Sequence, residues 1–338
     1  MGQLIIREYD GIKANLNEIM PYDIAMQECL CAKHNAISVG DVDAAGHASK
    51  GLAECYRRIG MIDAAILEYN HALGCFKETK NNSGTAWTRW AYSNLLRQQC
   101  DYYESIRQLR AAYVTAITIN DNNCVGYIIA GIGENTRILG NYHESKKYHM
   151  KALRIFKGMS DYRGIVWAYE GIAQMHKNSG HIYEGLKLFI MSKEIAEKYI
   201  DKRGLGFALK GIGEIFGMLG NRNESMNHLR LALNVFVEIG YKVGIAYTYK
   251  TMGDTYLRYK DVDNALYCTQ QALNIFNETR DKRGIAYAEK TLGDIKYQIG
   301  NIDDATEDYL QANTFFISKN IEYGMRISNA SLVKIGYR

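Results

Sequence analysis

Apolar side chains recur along the chain at helical spacing, in two blocks divided by a short polar break. Toward the C-terminus the blocks are Tyr287, Leu292, Ile295 and Ile299, then Ala305, Tyr309, Ala312, Phe315 and Phe316. Offsets of three, four and seven residues place each block on one face of a helix. Gly300-Asn301 stands between them, as do Gly140-Asn141, Gly180-His181 and Gly220-Asn221 at equivalent places. Gly and Asn accept the left-handed conformation that ends a helix, so each break predicts a turn between a leading and a following helix. Asp161-Tyr162-Arg163-Gly164, Asp201-Lys202-Arg203-Gly204 and Asp281-Lys282-Arg283-Gly284 punctuate the other junction with the polar residues that loops use.

The pattern is copied at a constant step of 40 residues. Gly253 aligns with Gly293, Ala265 with Ala305, Ala272 with Ala312 and Phe276 with Phe316, and Ala272 is preceded by Ala232, Ala152, Ala112, Ala72 and Ala32, with Ser192 the exception. Eight units fit without insertion or deletion, at 4–43, 44–83, 84–123, 124–163, 164–203, 204–243, 244–283 and 284–323, followed by a terminal helix over 324–338. A constant period in this range predicts one continuous stack of units, none of which can bury its apolar face alone. The first unit is the most divergent and keeps Asp23, Ala25 and Ala32 in register, with Pro21 at the start of its second helix. Gly133, Gly213, Gly253 and Gly293 lie mid-helix, where glycine costs about 1 kcal/mol against alanine. Close approach of a neighbouring helix is the compensation expected.

Composition sharpens the picture in a few places. One proline in 338 residues agrees with an all-helical chain. Lys and Arg number 41 against 37 Asp and Glu, and a net charge of +4 on this length does not by itself mark a nucleic-acid surface. No apolar run is long enough for a membrane span, the first ten residues lack a secretory pattern, and Ile6 stands where a myristoylation motif needs Ser or Thr. Seven cysteines, an odd number, suit a reducing compartment, and a cytoplasmic protein is expected.

The grammar Leu292-Gly293, Tyr256, Gly300, Ala305, Tyr309 and Ala312 resembles the tetratricopeptide repeat (TPR), lengthened from the family's usual 34 residues to 40. In length it is similar to the extended repeats of the Leu-Gly-Asn spindle-orientation adaptors and of bacterial TPR regulators. It departs from them in lacking the proline near the end of the second helix, and in carrying Asp254, Asp294, Glu134 or Glu214 where the adaptors have Asn. The resemblance implies an all-α, right-handed superhelical solenoid of antiparallel helix pairs, with the leading helices lining a concave face.

On those leading helices one position reads Trp87, Tyr127, Trp167, Phe207, Tyr247 and Tyr287. Three residues on it reads Trp90, Lys210, Lys250 and Lys290, with Glu170 among them; four further on, Glu134, Glu214, Asp254 and Asp294; and three beyond that, Arg57, Arg97 and Arg137. These offsets put the rows on one side of the helix. The bland account is a solvated face of intrahelical Lys to Asp pairs, with aromatics packed against the next helix. Together the rows are what holding a peptide segment requires: aromatic and Arg anchors, and charges that set register.

Signals for catalysis fail on placement. Gly131-Ile132-Gly133-Glu134 and Gly211-Ile212-Gly213-Glu214 lie inside helices with no strand before them, which a phosphate loop needs. His149 follows His143-Glu144 six residues after His143 rather than four, and Cys29, Cys31 and His34 do not converge on one helix face. No catalytic residue, cofactor or metal is expected. The reading is a protein-interaction scaffold or adaptor holding a protein or peptide partner in its groove. The alternatives are an RNA or single-strand-binding solenoid, which the acidic row opposes, and a sensor of a small molecule or signalling peptide. Partner identity and oligomeric state lie outside the sequence.

Overall fold

A computed structural model describes residues 21–337. The leading helix expected for the first unit, and Arg338, lie outside the described residues. Among the described residues there are sixteen α-helices and no strand. Eight follow-on and lead helices alternate: α1 (Tyr22–Ser38), α2 (Val42–Ile59), α3 (Ile62–Glu78), α4 (Asn82–Gln98), α5 (Tyr102–Thr118), α6 (Asn122–Ile138), α7 (Tyr142–Gly158) and α8 (Tyr162–Asn178). The second half repeats the order with α9 (Ile182–Lys198), α10 (Lys202–Met218), α11 (Arg222–Glu238), α12 (Lys242–Arg258), α13 (Val262–Glu278), α14 (Lys282–Gln298), α15 (Ile302–Ser318) and α16 (Glu322–Lys334). Even-numbered helices are the leading, inner ones and odd-numbered helices the outer ones.

The helices start where an acceptor side chain stands. Eleven carry an Asp or Asn cap whose side chain accepts the backbone N–H three residues on, as Asp161 does from Gly164 at 2.9 Å and Asp281 from Gly284 at 2.8 Å. The polar tetrapeptides at the second junction are therefore caps and first turns. Pro21 stands one residue earlier than expected, as the cap residue before Tyr22. The helices end at a left-handed residue every twentieth position, from Gly40 to Asn320. Glycine supplies it at Gly40, Gly60, Gly140, Gly180, Gly220, Gly240 and Gly300, whereas Lys80, Cys100, Asn120, Ser160, Ile200, Lys260, Arg280 and Asn320 adopt it with a side chain.

Small residues let helices meet. A Cβ on Gly253 would lie 2.6 Å from Thr269 Oγ1 and 3.3 Å from the Ala265 carbonyl, and one on Gly293 would lie 2.7 Å from Tyr309 Cε1 and 3.2 Å from the Ala305 carbonyl. A second glycine class, near the start of inner helices, receives the phenylalanine of the preceding outer helix. Gly84 lies against Phe76, Gly164 against Phe156, Gly284 against Phe276 and Gly324 against Phe316, all four rings fully buried. The phenylalanines and the Ala65, Ala72, Ala112, Ala152, Ala232, Ala272 and Ala312 positions form the seam between inner and outer layers.

The stack winds back beside itself. Gln99 donates to the Arg280 carbonyl at 3.4 Å and Arg280 pairs with Asp63 at 2.6 Å, across separations of 181 and 217 residues. The path thus returns after about five units. Leu52 and Cys55 of α2 share an apolar cluster with Leu209 of α10 and with Val243 and Tyr241 at the start of α12. Cys100, Tyr102 and Ile138 share another with Ala286 and Ile321. Arg326 Nη2 donates to the Asn178 carbonyl at 2.9 Å, and Gly140 lies under the side chain of Glu322. The last helix, α16, buries Leu332 against Ala305 and Tyr309.

Candidate functional site

Winding around itself leaves a hollow at the centre. Its volume is about 270 Å³, and its wall is built from inner helices α2 to α14, with Phe189 of α9 the outer-helix contribution. Because a leading helix presents the same face in every unit, residues 40 positions apart line it as stripes.

One side is aromatic. The rings of Trp90 and Tyr127 stand 5.4 Å apart, Trp90 and Trp167 6.0 Å, and Tyr127 and Trp167 are stacked at 5.8 Å with 25° between their planes. Trp90 Nε1 donates to the Tyr127 carbonyl at 3.0 Å, which fixes that ring. Phe207 continues the wall, edge-on to Tyr241 at 5.9 Å and with the Arg203 guanidinium 5.7 Å above its ring.

The rest is charged and unbalanced. Seven arginines and Lys210 line the hollow against five carboxylates, those of Glu54, Glu134, Glu170, Asp201 and Asp281. Glu54, fully buried, receives Arg57 at 2.9 Å, Arg58 at 3.2 Å and the Tyr69 hydroxyl. Burial works to raise its pKa, but Arg57 and Arg58 outweigh it and hold the carboxyl down to about 2. Glu134 receives Arg137 at 2.8 Å, Arg97 at 3.6 Å and His149 at 3.4 Å. Burial, together with the nearby charges of Arg283, Arg57 and Arg137, outweighs Glu134 and presses Arg97 down to about 10. Arg283 enters from α14, its Nε donating to the Tyr247 hydroxyl at 3.3 Å. Glu170 is pushed well up, by burial foremost, with Asp201 and Glu134 adding to it against Arg203 and Lys210, so its neutral acid form is favoured. In the lining Gln98 Nε2, Arg203 Nε, Glu170 Oε1 and Gln174 Oε1 are buried without a hydrogen-bond partner in the protein.

Of the residues singled out from sequence, Trp90, Tyr127, Trp167, Phe207, Tyr247, Arg57, Arg97, Arg137, Lys210 and Glu134 come together on this wall. The others are placed elsewhere. Trp87 Nε1 donates to Asp121 at 2.9 Å. Tyr287 lies against Phe316 at 4.8 Å, with the Lys250 ammonium 5.4 Å from its ring. Lys250 and Lys290 pair within their helices with Asp254 and Asp294, each at 2.6 Å, and Glu214 takes Lys177 at 2.5 Å. Asp254 and Asp294 also accept from Thr291 and Tyr309, both at 2.9 Å.

Sequence reasoning missed Arg163, Arg203 and Arg283, which it filed under loop punctuation. Their signal was available: they share one register and stand four residues before Trp167, Phe207 and Tyr287, hence on the same helical face. Among the described residues no group of three or more His, Cys, Asp and Glu side chains is placed to hold a metal ion, and no helix is long and apolar enough to cross a membrane.

No protein-family model matches the chain, and no curated protein matches it. Solved structures do. A Rap protein complexed with competence and sporulation factor is 12% identical, with a TM-score of 0.65, covering 99% of this chain and 98% of that one. Cut9, from the APC/C hetero-tetramer Cut9-Hcn1, is 14% identical with a TM-score of 0.61, over 97% of this chain and 55% of that one. The tetratricopeptide-repeat sensor protein of the STAND class from Pyrococcus horikoshii is 16% identical with a TM-score of 0.54, over 90% of this chain and 48% of that one. The fold is thus that of TPR-type helical arrays.

Proposed function

We propose that the protein is an interaction scaffold, a single array over 4–338, that captures a short acidic segment of a protein or peptide partner in its central hollow. The observation that carries this is the meeting of an aromatic wall, Trp90, Trp167 and Phe207, with a surplus of guanidinium groups in one hollow. An apolar side chain of the segment sits on the rings, and its carboxylate meets Arg97 and Arg137, in geometry that guanidinium matches with two parallel hydrogen bonds. The hollow is close to the lower end of small-ligand sites, roughly 300 Å³, so only a few side chains enter at once. That the protein has a bound partner at all is consistent with the Rap protein, crystallised with competence and sporulation factor, and with Cut9, assembled with Hcn1.

A sensor of a small acidic molecule is the second reading, favoured by the size of the space. A nucleic-acid strand fits worse, because the carboxylates of Glu54, Glu134, Asp201 and Asp281 line the same wall. Fluorescence anisotropy with labelled hexapeptides, varied in acidic and aromatic content, decides among them. Binding of acidic-apolar peptides that weakens at least tenfold in a Trp167→Ala, Tyr247→Ala double variant of native helicity supports the proposal. Absence of peptide binding, or binding the double variant leaves intact, overturns it.

A further inference from the structure

The arginines in the hollow do not all come from one stretch of chain. Arg97 and Arg137 stand on α4 and α6 of the first superhelical turn, and Arg283 stands on α14 of the second. All three line the one hollow where the turns meet, and the Arg283 charge works against the charged forms of Arg97 and Arg137, an effect that Glu134 outweighs at Arg137. Between the two turns, attraction and repulsion are therefore set against each other. Attraction comes from the apolar clusters that join the two turns, one holding Leu52 with Leu209 and the other Tyr102 with Ala286. The polar bonds across the gap add little: Arg280 and Asp63 are 61% and 75% exposed, and an exposed pair contributes roughly 0 to 1 kcal/mol. Repulsion comes from guanidinium groups held in a partly desolvated space, where like charges interact more strongly than in water.

Carboxylates of the protein do not close this account. Arg97 and Arg137 share Glu134, and Arg283 has Asp281 as its nearby carboxylate, reached through the Tyr247 hydroxyl that accepts from Arg283 and donates to Asp281, so three guanidinium groups face two carboxylates. Donors remain as well, since Gln98 Nε2 and Arg203 Nε are buried in the same lining without a partner in the protein. Surplus positive charge and unused N–H groups converging from two turns describe a seat for an anion that touches both.

We infer that a multivalent anionic group seated between Arg97, Arg137 and Arg283 clasps the two superhelical turns together, and that the array opens at this seam when the group leaves. A single carboxylate brings one negative charge to guanidinium groups from both turns, whereas a phosphoryl group or a pair of neighbouring carboxylates brings enough charge and acceptors for each turn. Binding then shifts the array toward its closed shape by as much as the anion prefers that shape. The inference rests on the hollow being a ligand site, as proposed above, but not on the ligand being a peptide.

The full chain would be followed by small-angle scattering and by thermal unfolding while sodium pyrophosphate, triglutamate or acetate is added at constant ionic strength. The radius of gyration should fall and the melting temperature rise with pyrophosphate, triglutamate or both, with half-saturation at least tenfold below that of acetate. Response to pyrophosphate alone assigns a phosphoryl ligand, and response to triglutamate alone assigns a carboxylate one. Arg97→Gln with Arg283→Gln should be closed without added anion and at least tenfold less responsive, since the repulsion and the seat go together. Arg97→Lys, which keeps the charge, should remain open and respond with weaker affinity. Pyrophosphate and triglutamate no better than acetate, or a double-Gln variant more expanded than the native chain, overturns the inference. Peptide binding without a change of shape overturns it too while leaving the peptide reading intact, and closure by pyrophosphate without peptide binding does the reverse.

Discussion

Tyr127 donates its phenolic O–H to Asp161 at 3.3 Å, tying the ladder residue of one inner helix to the cap of the next. The same link recurs as Trp87 to Asp121 at 2.9 Å and Tyr247 to Asp281 at 3.4 Å, always 34 residues on. Each of these carboxylates also accepts the first-turn N–H of its own helix, so one side chain both starts a helix and couples it to its predecessor. Removing the hydroxyl in Tyr127→Phe leaves the ring in place and should cost about 1 kcal/mol in urea unfolding. An unchanged midpoint would mean that the cap works without the ladder.

The glycines at the start of the inner helices should tolerate no side chain. A methyl group on Gly284 would overlap the buried ring of Phe276, so Gly284→Ala is expected to destabilise by about 2 kcal/mol or more. Gly253→Leu should disrupt its helix pair through Thr269 and the Ala265 carbonyl. Gly74→Ala is the control: nothing lies within 4 Å of the added Cβ, and helix propensity should raise stability by about 1 kcal/mol. Thermal melts of the three variants check the set.

Ile200 is β-branched, 62% exposed and left-handed, with φ 58°. That conformation costs an L-residue about 1 to 2 kcal/mol, and glycine relieves it at some cost in chain entropy. Ile200→Gly should therefore stabilise by about 1 kcal/mol in chemical denaturation. A loss of stability would show that the exposed side chain makes a contact worth more than the strain.

Two carboxyls of the hollow should respond to pH in opposite senses. The carboxyl of Glu54 is held down to about 2, below its unfolded value, so it supports the fold above pH 4.5 and withdraws that support as the pH falls toward 2. The loss amounts to about 3 kcal/mol and should be absent from Glu54→Gln. Glu170 is pushed up by burial, so its ionisation opposes folding once the pH exceeds the ordinary carboxylate range. Glu170→Gln should consequently gain stability at pH 7 relative to the native chain and gain none at pH 4. Denaturant midpoints at the two pH values measure both.

The helix pairs were legible because each unit repeats a complete local pattern: the faces of Tyr309 and Phe316, the cap at Asn301 and the turn at Gly300 all lie within one period. The aromatic stripe was legible for the same reason. Arg163, Arg203 and Arg283 were not, since they stand beside Asp and Gly in tetrapeptides whose composition is that of a loop. The helix in fact begins directly after the Asp, so each arginine already projects from a first turn. Least legible was the meeting of the two turns. Gly60 against Thr279 and Gln99 against Arg280 join residues from unrelated places in the period, and no local spacing encodes them.

The return of the path beside itself changes how the chain should come apart. In an open array each unit leans only on its neighbours, and damage at one end stays there. Here α16 touches the end of α8 through Arg326 and Asn178, and α2 touches α12, so the contact order is raised well above that of a simple stack. Deleting α16 should consequently lower the protection of α8 amides from hydrogen exchange, and the two ends should melt as one cooperative unit.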